Sequence, residues 1–392
     1  MAKFAFFNVP LHAHINPTLP VAQALVAQGH EVVYYLTEKY RSAIEATGAK
    51  FFGYQSQIEQ ASSDFQAHSH SLTVPILMVG ESNAVIPQIL ESVRAEQPDC
   101  IVYDPFCFSG RFIAQMLAIP AVISRVTFVA HEQTRRFFQN TVLPAEDASL
   151  FQASMEQLCT RYAIQPFDVA SIFLHNEALN IVFIPRSFQI DGASFGEEYR
   201  FVGPSVGARC EPSDFPFDQL GEQPVIYITL GTVYNNSPDF FKACFAAFAD
   251  QPRQVVVATG RPAEQMNLGP IPANFLVHTY VPQLEVMEHA AVFVGSGSMT
   301  STMEAITRGV PMVHIPQAVA QEGIARRVAG LGLGITLDKE TLTAESLRNA
   351  VVRILNASTY KMRVQQMQED ARVAGGFQAA AQALQEYIQT PV

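Results

Sequence analysis

The chain has 392 residues, nearly half of them apolar and 16% charged, with a formal net charge of −11. That length suggests two or three domains of about 150 residues each, two being the working number, and the composition excludes a disordered or fibrous chain. The acidic balance, with no Lys/Arg run longer than Arg135-Arg136 and Arg326-Arg327, argues against nucleic acid or an anionic lipid surface as a partner.

The start MAKFAFFNVP lacks a cleavage pattern, and no window approaches 18 uninterrupted apolar residues, so neither secretion nor a membrane span is expected. Cys100, Cys107, Cys159, Cys210 and Cys244 form no C-x-x-C pair, which suits reduced thiols in a cytoplasm and gives no metal site.

Phe4 to Val9 is an apolar strand, followed by the loop PLHAHIN and a helix in which Leu19, Ala22, Leu25 and Val26 share a face. Asn16 is the expected N-cap, Pro17 the first helical residue and Gly29 the stop. EVVYYL (31–36) then completes a βαβ unit. The pattern recurs in CIVYD (100–104), a helix through Arg111–Leu117 and the strand AVISRV (121–126). Residues 131–180 read as helices and loops over the first domain.

The stretch 202–224 gathers Pro, Gly, Ser and Asp and reads as a linker. The expected division is an N-terminal domain over 1–205, a linker over 206–223, a C-terminal domain over 224–376, and a helix over 377–392 packing back on the N-terminal domain. The second series runs VIYITLG (225–231), a helix over 238–250, QVVVATG (254–260), FLVHTY (275–280), AVFVGSG (291–297), a helix from about 299 and PMVHIP (311–316). Apolar runs of this kind are parallel strands covered on both faces. The fold class is α/β, with two Rossmann-like doubly wound domains facing a cleft.

In such sheets ligands bind outside the carboxyl ends of the strands. His12, His14, Asp104, Thr232 and the 295–301 loop all stand there. His14 has the chemistry of a general base, with Asp104 as the carboxylate that would hold its other nitrogen. A plainer alternative has His14 bonding loop backbone and Asp104 capping the turn before Pro105. Spacing does not rank His14 above His12.

In VFVGSGSMTSTMEAITRGVP (292–311), the apolar stripe of Met299, Met303, Ile306 and Val310 places the helix start near Ser298–Thr300. Unpaired N–H groups there favour an anion. Gly295 and Gly297 permit close approach, and Ser296, Ser298, Thr300 and Ser301 offer hydroxyls. The loop has no Gly-Lys-Ser/Thr and no third glycine of a dinucleotide fingerprint, and the plainer alternative is a tight turn with hydroxyl caps. Glu304, read as facing away from the Met stripe, can accept from a ribose or simply pair with Arg308.

Taken together, HAHINPTL, the strand ending in Asp104, TLGTVYNN (229–236), VHTYVPQLEVMEHAAVFV (277–294), MTSTMEAITRGVP (299–311) and IPQAVAQEGIARRVAGLGLG (315–334) make the chain resemble the GT-B family 1 glycosyltransferases of the macrolide/antibiotic, natural-product type. The resemblance covers nearly the whole chain. It implies an acceptor pocket in the first domain, a site for a UDP- or TDP-linked sugar in the second, no further cofactor, and inversion at the sugar carbon. It makes His14 the base and Asp104 its orienting partner. It puts Tyr280, Val281 and Gln283 at the nucleobase, Glu304 at the ribose and Thr232 and Ser301 at the phosphates, within a donor set that includes Ser296, Gly297, Ser298, Thr300 and Gln321.

The chain departs from the family pattern at Tyr280 (commonly tryptophan), Ser296 (histidine), Ala320 before Gln321 (acidic) and Ile324 (asparagine). Those departures imply an atypical donor, such as a deoxysugar nucleotide. The alternative is a GT-B-fold enzyme that turns the His14/Asp104 dyad to other acid–base chemistry on a natural product. Phe106, Phe108, Phe112, Phe128, Phe137 and Phe138 are candidates for an apolar acceptor pocket.

Overall fold

The computed structural model describes residues 1–60, 74–139, 143–207, 214–231 and 235–389. Thr232 and Cys210 lie outside the described residues, as do the side chains of Phe137 and Phe138. The chain divides into two compact units, Met1–Ala208 with Ala374–Val392, and Arg209–Val373.

In the first unit the strands are β1 (Lys3–Phe7), β2 (Glu31–Leu36), β3 (Lys50–Gly53), β4 (Cys100–Tyr103), β5 (Ala121–Arg125), β6 (Leu179–Val182) and β7 (Tyr199–Phe201). They form one seven-stranded sheet in the order β3-β2-β1-β4-β5-β6-β7, with every pairing parallel. β1, β2 and β4 are almost wholly buried, as strands between two helical layers must be. Aromatic stacking across the strands adds to this burial. Phe6 lies on Tyr34 with ring centroids 5.5 Å apart, and Phe7 lies on Tyr35 at 4.8 Å. Each such pair contributes about 0.5–1.5 kcal/mol beyond its area.

The loop after β1 differs from the sequence expectation. It contains a short helix, α1 (His12–Ile15), and Asn16 closes that helix with its N–H on the His12 carbonyl instead of capping the next one. The next helix, α2 (Leu19–Ala27), is preceded by Thr18, and the proline of its first turn is Pro20, not Pro17. Thr18 takes this place because its hydroxyl is built into the core, donating to the Ile15 carbonyl at 2.8 Å and accepting from Asn8 Nδ2 at 2.9 Å. After β4 comes α3 (Phe108–Leu117), whose Gly110 lets it close on the sheet. A Cβ there would stand 2.7 Å from that of Tyr103 and 2.9 Å from that of Phe7. Residues 131–180 hold the helices Glu132–Gln139, Ala145–Tyr162 and Val169–Leu174. The expectation of helix and loop alone stops short of β6, where Asn180 interrupts the apolar run.

The second unit contains β8 (Val225–Thr229), β9 (Val255–Ala258), β10 (Phe275–His278), β11 (Ala290–Gly295), β12 (Met312–His314) and β13 (Gly334–Thr336). This six-stranded parallel sheet has the order β10-β9-β8-β11-β12-β13. Helix α4 (Met299–Thr307) follows β11 and α5 (Val319–Gly330) follows β12. The final helix, α6 (Gly376–Gln389), belongs to the first unit, where the Gly376 N–H donates to the Val202 carbonyl at 2.7 Å.

Each sheet reverses its strand order once, between β1 and β4 in the first unit and between β8 and β11 in the second. Open parallel sheets bind ligands at such a switch point, beyond the carboxyl ends of the two strands.

Candidate active site

At the first switch point α1 carries His14 just beyond β1, and Asp104 stands directly after β4. The two side chains meet, His14 Nδ1 lying 2.5 Å from Asp104 Oδ2. Asp104 is completely buried, and its other oxygen accepts the Phe106 N–H at 2.8 Å. A carboxylate only accepts, so Nδ1–H is the donor of this bond and Nε2 is the nitrogen turned away from it. The His14 side chain is 16% exposed, so its ring remains reachable. Phe106 packs edge-on against it, with centroids 6.1 Å apart.

This contact separates the two loop histidines, which spacing left equal. His12 is exposed and lies edge-on to Tyr40 at 5.0 Å. Beside the dyad, burial pushes the Cys107 thiol up to about 12, so it stays protonated. Of the phenylalanine candidates, Phe108 and Phe112 are core residues packed on Phe167, whereas Phe106 and Phe128 are half-buried.

A second polar cluster in this unit had no motif to reveal it. Glu177 accepts from the Tyr103 hydroxyl at 2.7 Å and lies 2.9 Å from His175 Nε2. Burial opposes its charge, yet these bonds hold its pKa below the ordinary glutamate value. The buried Arg125 donates to the His175 carbonyl and to Asn176. Tyr103 and Arg125 are far in sequence from the run His175-Asn176-Glu177, and all five residues are ordinary in type.

At the second switch point β11 runs into Ser296, which is buried, and Gly297, whose φ of +77° lies in the region glycine favours. Ser298 caps α4, its hydroxyl accepting the Ser301 N–H at 3.4 Å. Ser298, Thr300 and Ser301 are half-buried. Gln321 ties two loops together. Its Oε1 accepts the N–H groups of Gln317 and Ala318 at 2.8 and 3.2 Å, and its Nε2 donates to Ser296 Oγ at 3.3 Å. Ala320 is exposed and Ile324 is buried.

Glu304 requires a correction. It is buried, and it accepts from Gln283 Nε2, which also donates to Ser301 Oγ at 3.3 Å, while Gln283 Oε1 accepts the Tyr227 hydroxyl at 2.9 Å. Arg308 pairs instead with Glu288 at 3.0 Å. The face of α4 carrying Glu304 is turned inward towards the helix Gln283–Glu288, so it is not a solvated face. Tyr280 is 68% exposed and Val281 is half-buried.

In the sequence His314 is one residue of the apolar run PMVHIP (311–316). It ends β12, is fully buried, and neither ring nitrogen has a hydrogen-bond partner among the described residues. Burial pushes its pKa down to about 3. Among the described residues no group of three His, Cys, Asp or Glu side chains could hold a metal ion, and no helix is long and apolar enough to cross a membrane.

Two parallel Rossmann-like sheets, each with its polar residues gathered at the switch point, define the GT-B architecture of glycosyltransferases. The chain belongs to GT-B family 1, and residues 204–373 match the family model described as "UDP-glucoronosyl and UDP-glucosyl transferase". It is 35% identical to the NDP-glycosyltransferase YjiC of Bacillus subtilis (strain 168), across 98% of this chain and 97% of that one. It is 27% identical to the oleandomycin glycosyltransferase of Streptomyces antibioticus, across 98% and 90%. Among solved structures, the kitacinnamycin glycosyltransferase superposes with a TM-score of 0.87 at 28% identity, covering 99% of both chains. The calicheamicin glycosyltransferase CalG4 superposes at 0.82 and 30%, covering 99% of this chain and 98% of that one. The protein is thus a glycosyltransferase-type enzyme that uses nucleotide sugar donors.

Proposed function

We propose that this protein is an inverting glycosyltransferase that moves a sugar from a UDP- or TDP-linked donor to a hydroxyl of an apolar, natural-product-like acceptor, with His14 as the base. The observation that carries the reading is the 2.5 Å bond between His14 and the wholly buried Asp104 at the first switch point. Asp104 fixes the tautomer and steadies the imidazolium that forms, a role carboxylates play beside histidine bases generally. His14 Nε2 takes the proton of the acceptor hydroxyl as its oxygen attacks the anomeric carbon from the face opposite the leaving group. The bond from that carbon to the diphosphate oxygen breaks, and the nucleoside diphosphate departs with the electron pair. Attack from the opposite face inverts the configuration.

The donor set lies in the second unit. N–H groups at the start of α4, with the hydroxyls of Ser298, Thr300 and Ser301, suit the growing negative charge of the leaving diphosphate. The linked Tyr227, Gln283, Ser301 and Glu304 hold that helix start in register. The half-buried Phe106, in ring contact with His14, favours an acceptor with an apolar body beside its reacting hydroxyl. The names of the oleandomycin and calicheamicin relatives support the same acceptor class.

Turnover of a panel of UDP- and TDP-sugars with a planar phenol tests the proposal. His14→Ala should lower kcat by about 10²- to 10⁴-fold, the usual contribution of a general base. Wild-type turnover in His14→Ala, with loss on His12→Ala, would move the base to the other histidine.

A further inference from the structure

The polar groups around Gly297 converge on one point from several elements. The nine-residue helix α4 begins just beyond it, with Ser298 as its cap. The start of the twelve-residue helix α5 is tied to the same loop, since Gln321 Nε2 donates to Ser296 Oγ at 3.3 Å. Both helices therefore bring the positive ends of their dipoles to this loop. Beneath it lies the ring of His314, directly opposite Gly295 in the pairing of β11 with β12.

His314 is wholly buried and neither nitrogen has a partner among the described residues. Leaving such a group unpaired is costly, and buried polar atoms are nearly always satisfied. Its position shows what could satisfy it. A Cβ on Gly297 would lie 3.3 Å from His314 Nδ1 and 3.4 Å from Cγ, so the side chain that Gly297 lacks is the one that would cover the ring on the loop side. The Gln321 carbonyl oxygen stands 3.5 Å from the same Cβ position, and Phe293 packs edge-on against the ring at 6.4 Å. Two positive helix ends and one unsatisfied imidazole form a site for an anion.

We propose that His314 is a donor-binding residue: when a nucleoside diphosphate settles on the start of α4, Gly297 gives way and the Nδ1–H of the neutral His314 ring donates to a diphosphate oxygen. This rests on the reading that the donor diphosphate occupies the 295–301 loop. The bond from Gln321 to Ser296 is long, and Gly297 has the freest backbone of any residue type, so a small displacement of this loop meets little resistance. Because the ring acts while neutral, its contribution requires no proton uptake between pH 6 and 8.

Titration calorimetry with UDP, TDP and uridine on the full chain tests this. His314→Val should lose roughly 10- to 150-fold in affinity for UDP and TDP, the effect of removing one hydrogen bond to a charged group. Uridine, which has no phosphate, should bind it as it binds the wild type. His314→Gln keeps an N–H donor and should recover most of the loss, which a merely structural role for the ring would not predict. Equal UDP affinity in wild type and His314→Val, or equal losses for UDP and uridine, would overturn the inference. If His314→Val does not fold, an unrecovered deficit for UDP alone in His314→Gln counts against it. Wild-type protein that binds neither UDP nor TDP would instead overturn the underlying donor-site reading.

Discussion

Asp104→Asn separates charge from shape at the proposed base. Asp104 has two commitments, one oxygen accepting the Phe106 N–H at 2.8 Å and the other facing His14 Nδ1 at 2.5 Å. Asparagine has one oxygen and one NH2 group. If its oxygen keeps the Phe106 bond, its NH2 points at Nδ1, which must then present a lone pair. The ring proton moves to Nε2, where the base needs a lone pair of its own. The opposite amide orientation keeps the tautomer but sets the NH2 against the Phe106 N–H, inside a wholly buried site. Either way a charge-assisted bond worth about 1.5–3 kcal/mol is lost, which converts to roughly 10- to 150-fold in kcat. Steady-state kinetics with saturating sugar nucleotide should show this fall while KM for the acceptor changes little, because Asp104 acts through His14. A kcat within threefold of wild type would refute the claim that the carboxylate sets the imidazole's tautomer.

Gly110→Ala places a methyl 2.7 Å from the Tyr103 Cβ and should push α3 off the sheet, with an overpacking cost of about 1–3 kcal/mol visible in urea denaturation; unchanged stability would mean that α3 shifts freely. The buried His314 makes stability depend on pH. Well above pH 6.5 it is neutral in both folded and unfolded chains and contributes no penalty. As pH falls from 6.5 towards 3, the unfolded chain takes a proton that the folded chain refuses, so stability drops by about 1.4 kcal/mol per pH unit. Denaturation at pH 6.5 and 5 should show a difference of about 1.6 kcal/mol from this residue that is absent in His314→Val.

The sequence revealed the parallel sheets because each strand sits between helices and therefore reads as an unbroken apolar run. β3, β6, β7 and β13 carry less of that signal, because Lys50, Asn180, Arg200 and Gly334 break or shorten their apolar runs. His14 and Asp104 were legible as polar residues just past strands; spacing left His14 level with His12, the family resemblance singled out His14, and the folded loop brings that ring, rather than His12, to Asp104. The start of α4 followed from its Met stripe, whereas the inward turn of Glu304 did not, since a four-residue spacing to Arg308 is equally natural on a solvated helix. Gln283 and Gln321 are amides whose roles come from partners distant in sequence. His314 looked like a strand residue because it is one; its unpaired nitrogens become apparent only once Gly297 is placed against them.

The anomeric configuration of the product reports the direction of attack, and its yield in His14→Ala reports the group that starts it. Wild-type enzyme incubated with an α-linked UDP- or TDP-sugar and a planar phenol should give a β-glycoside by proton NMR, with that product nearly lost in His14→Ala. An α-glycoside from the wild type, or undiminished β-glycoside from His14→Ala, would contradict inversion driven by the His14 base.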